Sequence, residues 1–585
     1  MNLQRYFPFL QWLPGYSRNE LRGDLSAGVT VGVMLIPQGM AYSMLAGLPP
    51  IFGLYASTIP LVLYALFGTS RQLAVGPVAM VALLIATGVG QLAEVGSAEF
   101  IGLAILLSLM VGVMQFALGV FRLGFLVNFL SHPVISGFTS AAALIIGLSQ
   151  LKHLLGIDIP RSNYIHEILI NAAQNVDSIH LPTLALGLGG IVVILFIKRL
   201  KKGIPGPLVA VILSILAVYF LGLHEGGMKI VQEVPSGLPS LSFPSLEIES
   251  LRGLLPIAIT ISLVGFMESI AVAKAIQAKH KNYEVDNNQE LIGLGLANIG
   301  GALFSAFPTT GGFSRTAVND QAGAKTGLAS IISAALIILT LLFLTPLFYY
   351  LPKAVLASVI MVAVFGLIDL KEAKHLWKTD KRDFAMLLVT FLATLSLGIE
   401  QGIGVGVILS LAMVVYRSTY PHVAVLGKLP GTTQWRNVTR FTEVIQRPEI
   451  LVVRFDAQLF FANTNIFRDK LAQFEAEKGE ALQLVVLDFA AVNGLDSSAV
   501  HVLHDLHTEY QQRGVVLYLS AVKGPIRDIM YRSGLMEEIG RKNFFLGNEQ
   551  AVDYWDQHEI MDRKEVHPGV QTNLNGEAVN EEVTL

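Results

Sequence analysis

Long apolar segments, separated by short polar loops, occupy the chain from about Leu21 to about Tyr420. A helix needs about 20 residues to cross the hydrocarbon core of a bilayer. Segments without charge over most of that length include residues 101–120, 184–197, 208–223, 327–349 and 384–397. One or two such helices fit inside a soluble core, but a dozen do not. This part of the chain is therefore predicted to be an α-helical polytopic membrane protein.

We predict fourteen transmembrane spans, at residues 24–43, 51–67, 75–92, 99–120, 125–150, 182–198, 206–223, 254–274, 289–305, 313–324, 327–350, 354–369, 383–399 and 401–418. Cytoplasmic loops collect Lys and Arg, so charge tests the count. With the N-terminus inside, the inner loops carry 19 Lys and Arg and the outer loops carry 5. The outer five are Lys152, Arg161, Lys229, Arg252 and Lys353. This asymmetry favours an even number of spans and cytoplasmic N- and C-termini.

Two charged residues fall inside predicted spans, Glu268 in the eighth and Arg315 in the tenth. Charge at the bilayer centre is costly, so such residues usually mark a transport pathway. Two alternatives stay open. Glu268 is either a pathway residue or a structural carboxylate near Lys274, and Arg315 is either a pathway residue or an interfacial side chain that reaches toward water.

The sequence before Arg315, Pro-Thr-Thr-Gly-Gly at residues 308–312, cannot continue a helix comfortably. Its backbone would be unsatisfied in lipid and must face protein or a wet cavity. A helix that restarts near Phe313 or Ser314 directs free amides and a positive dipole end at that cavity. The pattern predicts an anion site built from backbone, with Ser314 and Arg315 beside it.

A similar break occurs in the first half, where Gly76-Pro77 precedes an apolar run. Pro77 suits the first turn of a helix. The third and tenth spans are thus both short, both broken at their start, and seven spans apart, which is typical of an inverted-repeat transporter rather than of two unrelated kinks. A further break is expected in the first span at residues 36–39, where Gln38 and Tyr42 share a helix face.

Residues 37–80, PQGMAYSMLAGLPPIFGLYASTIPLVLYALFGTSRQLAVGPVAM, closely resemble the signature of the sulfate permease (SulP) family of anion transporters. Residues 312–326, GFSRTAVNDQAGAKT, resemble the motif of that family's tenth span, and the polar C-terminal part resembles the STAS domain that these proteins carry. Together the resemblance covers nearly the whole chain.

The resemblance implies a fold of fourteen transmembrane segments in a 7+7 inverted repeat. Its core domain comprises spans 1–4 and 8–11, its gate domain spans 5–7 and 12–14. It also implies homodimers and an elevator-type movement. Matching motif positions carries the substrate site onto Gln38, Tyr42, Val78, Phe313, Ser314 and Arg315. Glu268 matches the acidic position of span 8, where glutamate is more often linked to protons and aspartate to sodium.

The expected domains are a transmembrane domain at 1–420, a linker at 421–435, a small cytoplasmic α/β STAS domain at 436–560 and a disordered tail at 561–585. Strands are predicted at 450–455, 482–487 and 515–519, and helices at 464–477, 497–513 and 525–538.

Ser497 matches the serine that is phosphorylated in STAS anti-sigma antagonists. Helix capping by Asp496 or Ser497 is the favoured interpretation, and Ala499, where those antagonists often have glycine, further weakens the phosphorylation hypothesis. The side chains of His501, His504 and His507 spread around a helix, so no metal site is expected there.

The leading hypothesis is a secondary active transporter of sulfate or a similar small oxyanion, coupled to protons, in the cell (inner) membrane. The alternatives are bicarbonate or C4-dicarboxylate transport, an uncoupled anion channel, and a membrane-anchored sensor that signals through its STAS domain. The sequence leaves open whether a cytoplasmic protein binds the STAS domain. No enzymatic activity or cofactor is expected: the chain has no cysteine and no GxxxxGK[ST] motif. A net charge of −3 argues against nucleic-acid binding.

Overall fold

The computed structural model describes residues 3–125, 131–159, 165–200, 205–281, 283–566, 571–572 and 578–579. These residues form two compact units, Met1–Leu411 and Ala412–Leu585. The first unit contains nearly all of the apolar segments, and the second contains the polar C-terminal part. The boundary between the units lies a few residues before the one predicted at 420.

Among the described residues, the first half of the membrane unit has twelve helices and one short strand. They are α1 (Leu3–Tyr6), α2 (Phe9–Trp12), α3 (Arg18–Ala46), α4 (Pro50–Tyr55), α5 (Ile59–Phe67), β1 (Val75–Gly76), α6 (Ala79–Val89), α7 (Ala98–Val120), α8 (His132–Ser149), α9 (Leu151–Leu155), α10 (Ile165–Gln174), α11 (Leu181–Leu200) and α12 (Gly206–Leu221). A 3-10 turn, Val176–Ser178, lies between α10 and α11.

The second half repeats this order of long and short helices. Its elements are α13 (Ile248–His280), α14 (Asn287–Leu303), β2 (Thr310–Gly311), α15 (Phe313–Gln321), α16 (Leu328–Leu339), α17 (Lys353–Phe365), α18 (Leu370–Thr379), α19 (Lys381–Leu397) and α20 (Ile399–Thr419). A π-helical turn, Thr340–Leu344, and a 3-10 turn, Thr345–Phe348, continue α16.

Each of the fourteen predicted segments contains a helix, and nine helices among the described residues are long and apolar enough to cross a membrane. The expected break in the first span is wrong, because α3 runs without interruption through Pro37. Membrane helices tolerate proline where neighbouring groups satisfy the freed backbone. Gly39 serves close packing instead: a Cβ atom on it would lie 2.9 Å from the carbonyl oxygen of Gly53 in α4.

The two halves of the membrane unit interlock. Helix α14 packs against α7 and α5, and α16 packs against α3. The short strands pair antiparallel across the halves, with Val75 opposite Gly311 and Gly76 opposite Thr310. Both predicted helix breaks therefore meet at one place, directly before α6 and α15.

The second unit is built on a six-stranded sheet of order β4-β3-β5-β6-β7-β8. The strands are β3 (Val423–Lys428), β4 (Trp435–Asn437), β5 (Ile450–Phe455), β6 (Leu484–Asp488), β7 (Val516–Ser520) and β8 (Phe544–Phe545). Strands β5 to β8 are parallel, and β3 is antiparallel to both neighbours. The structure thus places a strand inside the predicted linker 421–435, because Ala424 and Leu426 are buried in the sheet's core.

Helices cover both faces of this sheet. They are α21 (Thr464–Lys478), α22 (Ser497–Arg513), α23 (Gly524–Arg532), α24 (Leu535–Ile539) and α25 (Asn548–Val566), and 3-10 turns lie at Gly479–Ala481 and Arg541–Asn543. Leu451 and Val453 pack toward α21 to α24, whereas Val452 packs toward α25. Because both faces are buried, the parallel strands read as continuous apolar runs. Two short paired strands, β9 (Gln571–Thr572) and β10 (Ala578–Val579), follow, and most of the predicted tail 561–585 lies outside the described residues.

Candidate functional site

The paired strands β1 and β2 form the base of the candidate site. Besides the ladder itself, the amide of Gly312 donates to the carbonyl oxygen of Ala74 at 3.0 Å, and the hydroxyl of Thr316 accepts from the amide of Ala74 at 3.0 Å. Part of the backbone of each break is thereby satisfied across the pair, as non-helical segments at membrane depth require. The pairing holds the first turns of α6 and α15 next to each other.

Neither of these two helices has a side-chain cap at its N-terminus. Helix α15 begins at Phe313, as predicted. Helix α6 begins at Ala79, so Pro77 precedes the first turn instead of lying in it, and Val78 is the extended N-cap residue. The amides of an uncapped first turn carry partial positive charge and attract anions. Two such ends therefore create a region suited to an anion without a fixed counter-ion.

Arg315 lies between the two helix starts and is only 2% exposed. Its Nη1 donates to the carbonyl oxygen of Pro77 at 2.7 Å, while Nε and Nη2 have no hydrogen-bond partner within the described part of the chain. Gly312 makes room for the guanidinium, because a Cβ atom there would lie 2.8 Å from Nη2. Arg315 is thus a buried cation with unused donors, and it is not an interfacial side chain that reaches water.

A cavity of about 510 Å³, here called the central cavity, opens beside α15. Gln38 of α3 and Phe313 and Ser314 of α15 line it on one side. The opposite side is formed by α11, α12 and α17, with Lys198 at the end of α11. Gln38 is buried and its Oε1 accepts no hydrogen bond from any described residue. The ends of α11, α15 and α17 that line the cavity lie on the side predicted to be inner.

The structure brings the remaining predicted residues close behind this wall. Tyr42 and Val78 are buried and are not among the residues that line the cavity. The charges of Arg315 and Glu268 are close enough to influence each other. The Oε2 atom of Glu268 is buried and has no hydrogen-bond partner among the described residues. The carboxyl group therefore lies near a cation but is not locked into a hydrogen-bonded network.

A buried polar network that the sequence did not reveal supports strand β2. The side-chain amide of Asn298 donates to the carbonyl oxygen of Thr309 at 3.0 Å, and its Oδ1 accepts from the amide of Thr309 at 2.7 Å. The hydroxyl of Ser269 accepts from the amide of Gly311 at 2.8 Å and shares a 2.6 Å hydrogen bond with that of Thr310. The hydroxyls of the Thr-Thr pair were the only sequence signal for this network.

Two further buried carboxylates, Asp24 and Glu290, were also missed by the sequence reasoning. Both are fully buried. Asp24 accepts hydrogen bonds from the amides of Lys325 and Thr326 and from the hydroxyls of Thr326 and Tyr16. Because four donors surround the carboxylate, its role is to join the start of α3 to the loop between α15 and α16. From the sequence alone, this buried carboxylate could not be distinguished from an exposed one at the end of a span.

In the second unit, Asp496 is the N-cap of α22, and its Oδ1 accepts from the amide of Ala499 at 2.9 Å. Ser497 is exposed at the first position of the helix. Nδ1 of His504 lies 2.9 Å from the Oε1 atom of Glu538. Nε2 of His507 lies 3.1 Å from the backbone carbonyl oxygen of Glu538. The capping and the histidine contacts are those of a packed helix.

Comparison with known proteins gives consistent results over most of the chain. Residues 21–390 match the model described as "Sulfate permease family", and residues 442–551 match the model of the STAS domain. A relative from Arabidopsis thaliana, "Sulfate transporter 4.1, chloroplastic", is 43% identical over 565 residues, which cover 93% of this chain and 82% of the relative.

Two solved structures are similar as well. Murine solute carrier 26 family member A9, an anion transporter described in the inward-facing state, superposes with a TM-score of 0.86 at 27% identity and 94% coverage of both chains. The transmembrane domain of the cyanobacterial bicarbonate transporter BicA gives a TM-score of 0.59 at 25% identity, and covers 68% of this chain and 98% of that domain.

Proposed function

The chain belongs to the sulfate permease family of anion transporters, and we propose that it is a secondary active transporter that moves sulfate across the membrane together with a proton. The observation that carries the proposal is the uncapped start of α15 beside the central cavity, with Gln38 and Ser314 in the wall and Arg315 directly behind it. Sulfate oxygens accept hydrogen bonds from donors of these kinds: backbone amides, a serine hydroxyl, a glutamine side-chain amide and a guanidinium.

The binding is built to be reversible. Fixed partial charges at two helix starts attract a dianion without the tight pairing of several lysines or arginines, and Arg315 already uses one donor on Pro77. Tyr42 and Val78 shape the buried side of the site. The relative from Arabidopsis thaliana is named a sulfate transporter, which supports sulfate as the substrate. The bicarbonate transporter among the similar structures supports the main alternative.

The proposed movement is an elevator in which a core domain carries the site past a gate domain. The core comprises the helices of spans 1–4 and 8–11, and the gate those of spans 5–7 and 12–14. Supporting this division, the site residues lie on α3, α13 and α15 and, for Val78, directly before α6. The facing wall of the central cavity comes from α11, α12 and α17. Displacement along that wall would carry the anion from one side of the membrane to the other.

Glu268 is the proposed proton carrier. A buried carboxyl oxygen without a hydrogen-bond partner can take up and lose a proton without breaking local structure. When Glu268 is neutral, Arg315 has its full charge available for the anion, so proton and anion bind together. When it is ionised, it competes with the anion for Arg315.

We also propose that the protein acts as a homodimer in the cell (inner) membrane, with both termini and the STAS domain on the cytoplasmic side. The distribution of Lys and Arg among the loops supports this orientation. The exposed position of Ser497 at the start of α22 leaves it accessible to a cytoplasmic partner of the STAS domain.

Uptake into proteoliposomes tests the proposal. Radiolabelled sulfate, bicarbonate and fumarate are compared in parallel, under imposed pH and sodium gradients. Sulfate accumulation driven by an inward proton gradient supports the proposal, and preference for another anion or for sodium changes the substrate or the coupling ion. Conductance without accumulation indicates a channel, and the absence of any flux indicates a sensor.

A further inference from the structure

A second pocket of about 200 Å³ lies in the membrane unit, away from the central cavity. Lys152, Lys229 and Lys353 line it, together with Asp158 and Thr183. Three of the five basic residues in the predicted outer loops therefore converge on one small cavity. We propose that this outer lysine pocket binds a small tetrahedral oxyanion, such as sulfate or phosphate, from solution.

Two of the lysines are held side by side by the backbone. The amide of Lys353 donates to the carbonyl oxygen of Lys229 at 3.0 Å. Ile230 and Pro352 form an antiparallel bridge at the same place. Because the main chain holds them side by side, both lysines line the same pocket, where their like charges repel each other. An anion between them removes that repulsion and gains two charge-assisted hydrogen bonds.

The pocket has excess positive charge. Among the described residues that line it, Asp158 is the only acidic one. It pairs with Lys229, and its side chain is 92% exposed, so solvent weakens the pair. Lys353 is partly buried and has no acidic partner among the described residues.

The size of the pocket selects the ligand. A water molecule takes about 30 Å³ of liquid volume, so the pocket has room for one oxyanion and a few waters. Sites for drug-sized molecules are larger, at about 300–1,000 Å³. A single tetrahedral anion that contacts two or three ammonium groups therefore fits, and a nucleotide does not.

The outer lysine pocket and the central cavity lie at opposite ends of the same helices. Thr183 and Lys353 lie near the starts of α11 and α17, whereas Lys198 and Gly366, near their other ends, line the central cavity. Fifteen residues of helix separate Thr183 from Lys198, which corresponds to about 22 Å at 1.5 Å per residue. An anion in the outer pocket is thus a second bound anion and does not occupy the proposed transport site.

Protection of lysines from acetylation tests the proposal on the full chain in detergent. Sodium sulfate or phosphate is titrated at constant ionic strength, and the acetylation rate of each lysine is measured by mass spectrometry. At an anion concentration ten times the dissociation constant, Lys353 and Lys229 should react roughly tenfold more slowly, since the unbound fraction falls in that proportion. Lys371, which is exposed on α18, serves as the internal control, and Lys198 reports separately on the central cavity.

Lys353→Gln should remove the protection of Lys229, and Lys371→Gln should leave it intact. Equal protection of Lys371, protection that persists in Lys353→Gln, or protection that appears only with vesicles of anionic lipid would overturn the proposal. If the anion fails to protect Lys198 but still protects Lys229 and Lys353, the result contradicts the proposed transport site and supports the outer lysine pocket.

Discussion

The guanidinium of Arg315 donates a 2.7 Å hydrogen bond to the carbonyl oxygen of Pro77, across 238 residues of sequence. The bond joins the break before α15 to the break before α6, and so connects the two halves of the inverted repeat at the proposed substrate site. Arg315 consequently has two roles, since the same group that holds the two helix starts together also presents unused donors beside them.

Arg315→Lys should lower the initial rate of sulfate uptake by about tenfold or more, because a hydrogen bond to a charged group contributes roughly 1.5–3 kcal/mol and an ammonium cannot reproduce the guanidinium's fork. Uptake into proteoliposomes measures the effect, and size-exclusion chromatography verifies folding. Arg252→Lys, in a predicted outer loop, is the matched control. Equal uptake by both variants would show that the guanidinium has no special function.

Ser314→Ala should raise the KM for sulfate by about two- to tenfold, which is the equivalent of one ordinary hydrogen bond. The thermal stability should stay the same, because Ser314 is exposed to the central cavity. Ser26→Ala, at an exposed position on α3, provides the comparison. An unchanged KM would exclude the hydroxyl as a substrate ligand.

Two carboxylates of the membrane unit, Glu268 and Glu290, should respond differently to the same substitution. Glu268→Gln should fold normally and lose proton-driven accumulation while it retains sulfate exchange, because its Oε2 has no hydrogen bond to lose. Glu290→Gln should lower the melting temperature, since Glu290 accepts from the hydroxyl of Tyr64 and from the amides of Thr69 and Ser70. Thermal melts and uptake with and without a pH gradient separate the two effects. Full proton coupling in Glu268→Gln would refute its role.

Gly53→Ala should prevent stable folding. A Cβ atom there would lie 1.9 Å from the carbonyl oxygen of Gly39, and backbone cannot move aside as a side chain can. Gly102→Ala in α7, where nothing lies within 4 Å of the added atom, should instead be neutral or stabilise by up to about 1 kcal/mol. The yield of monodisperse protein and the melting temperature test the pair; similar yields would mean that α3 and α4 can separate without loss.

In the STAS domain, Asp496→Ala should destabilise the fold by about 1 kcal/mol through loss of the cap on α22, with a further loss because Oδ2 accepts from the amide of Phe461 at 2.9 Å. Ser497→Ala should leave stability unchanged. Tryptophan fluorescence during thermal unfolding of the full chain distinguishes the two variants. If Ser497→Ala unfolds earlier, the serine contributes to the cap.

Much of the architecture was predictable because apolar length and charge asymmetry are local properties of a sequence. The fourteen helical segments, the restart of α15 at Phe313 and the parallel strands β5 to β7 all appear close to their expected places. The break expected at Pro37 does not appear, since proline in a packed membrane helix is tolerated in a way that local propensity alone does not express.

Only the tertiary structure decided which polar residues meet. Sequence by itself determined that Glu268 and Arg315 lie inside apolar spans, where charge requires an explanation. It did not determine that β1 pairs with β2, that Asp24 is enclosed by four donors, or that three lysines from separate predicted outer loops share one pocket. The physical reason is that membrane insertion depends on segment-by-segment transfer energies, whereas hydrogen bonds and electrostatic contacts depend on distances between residues that only packing brings together.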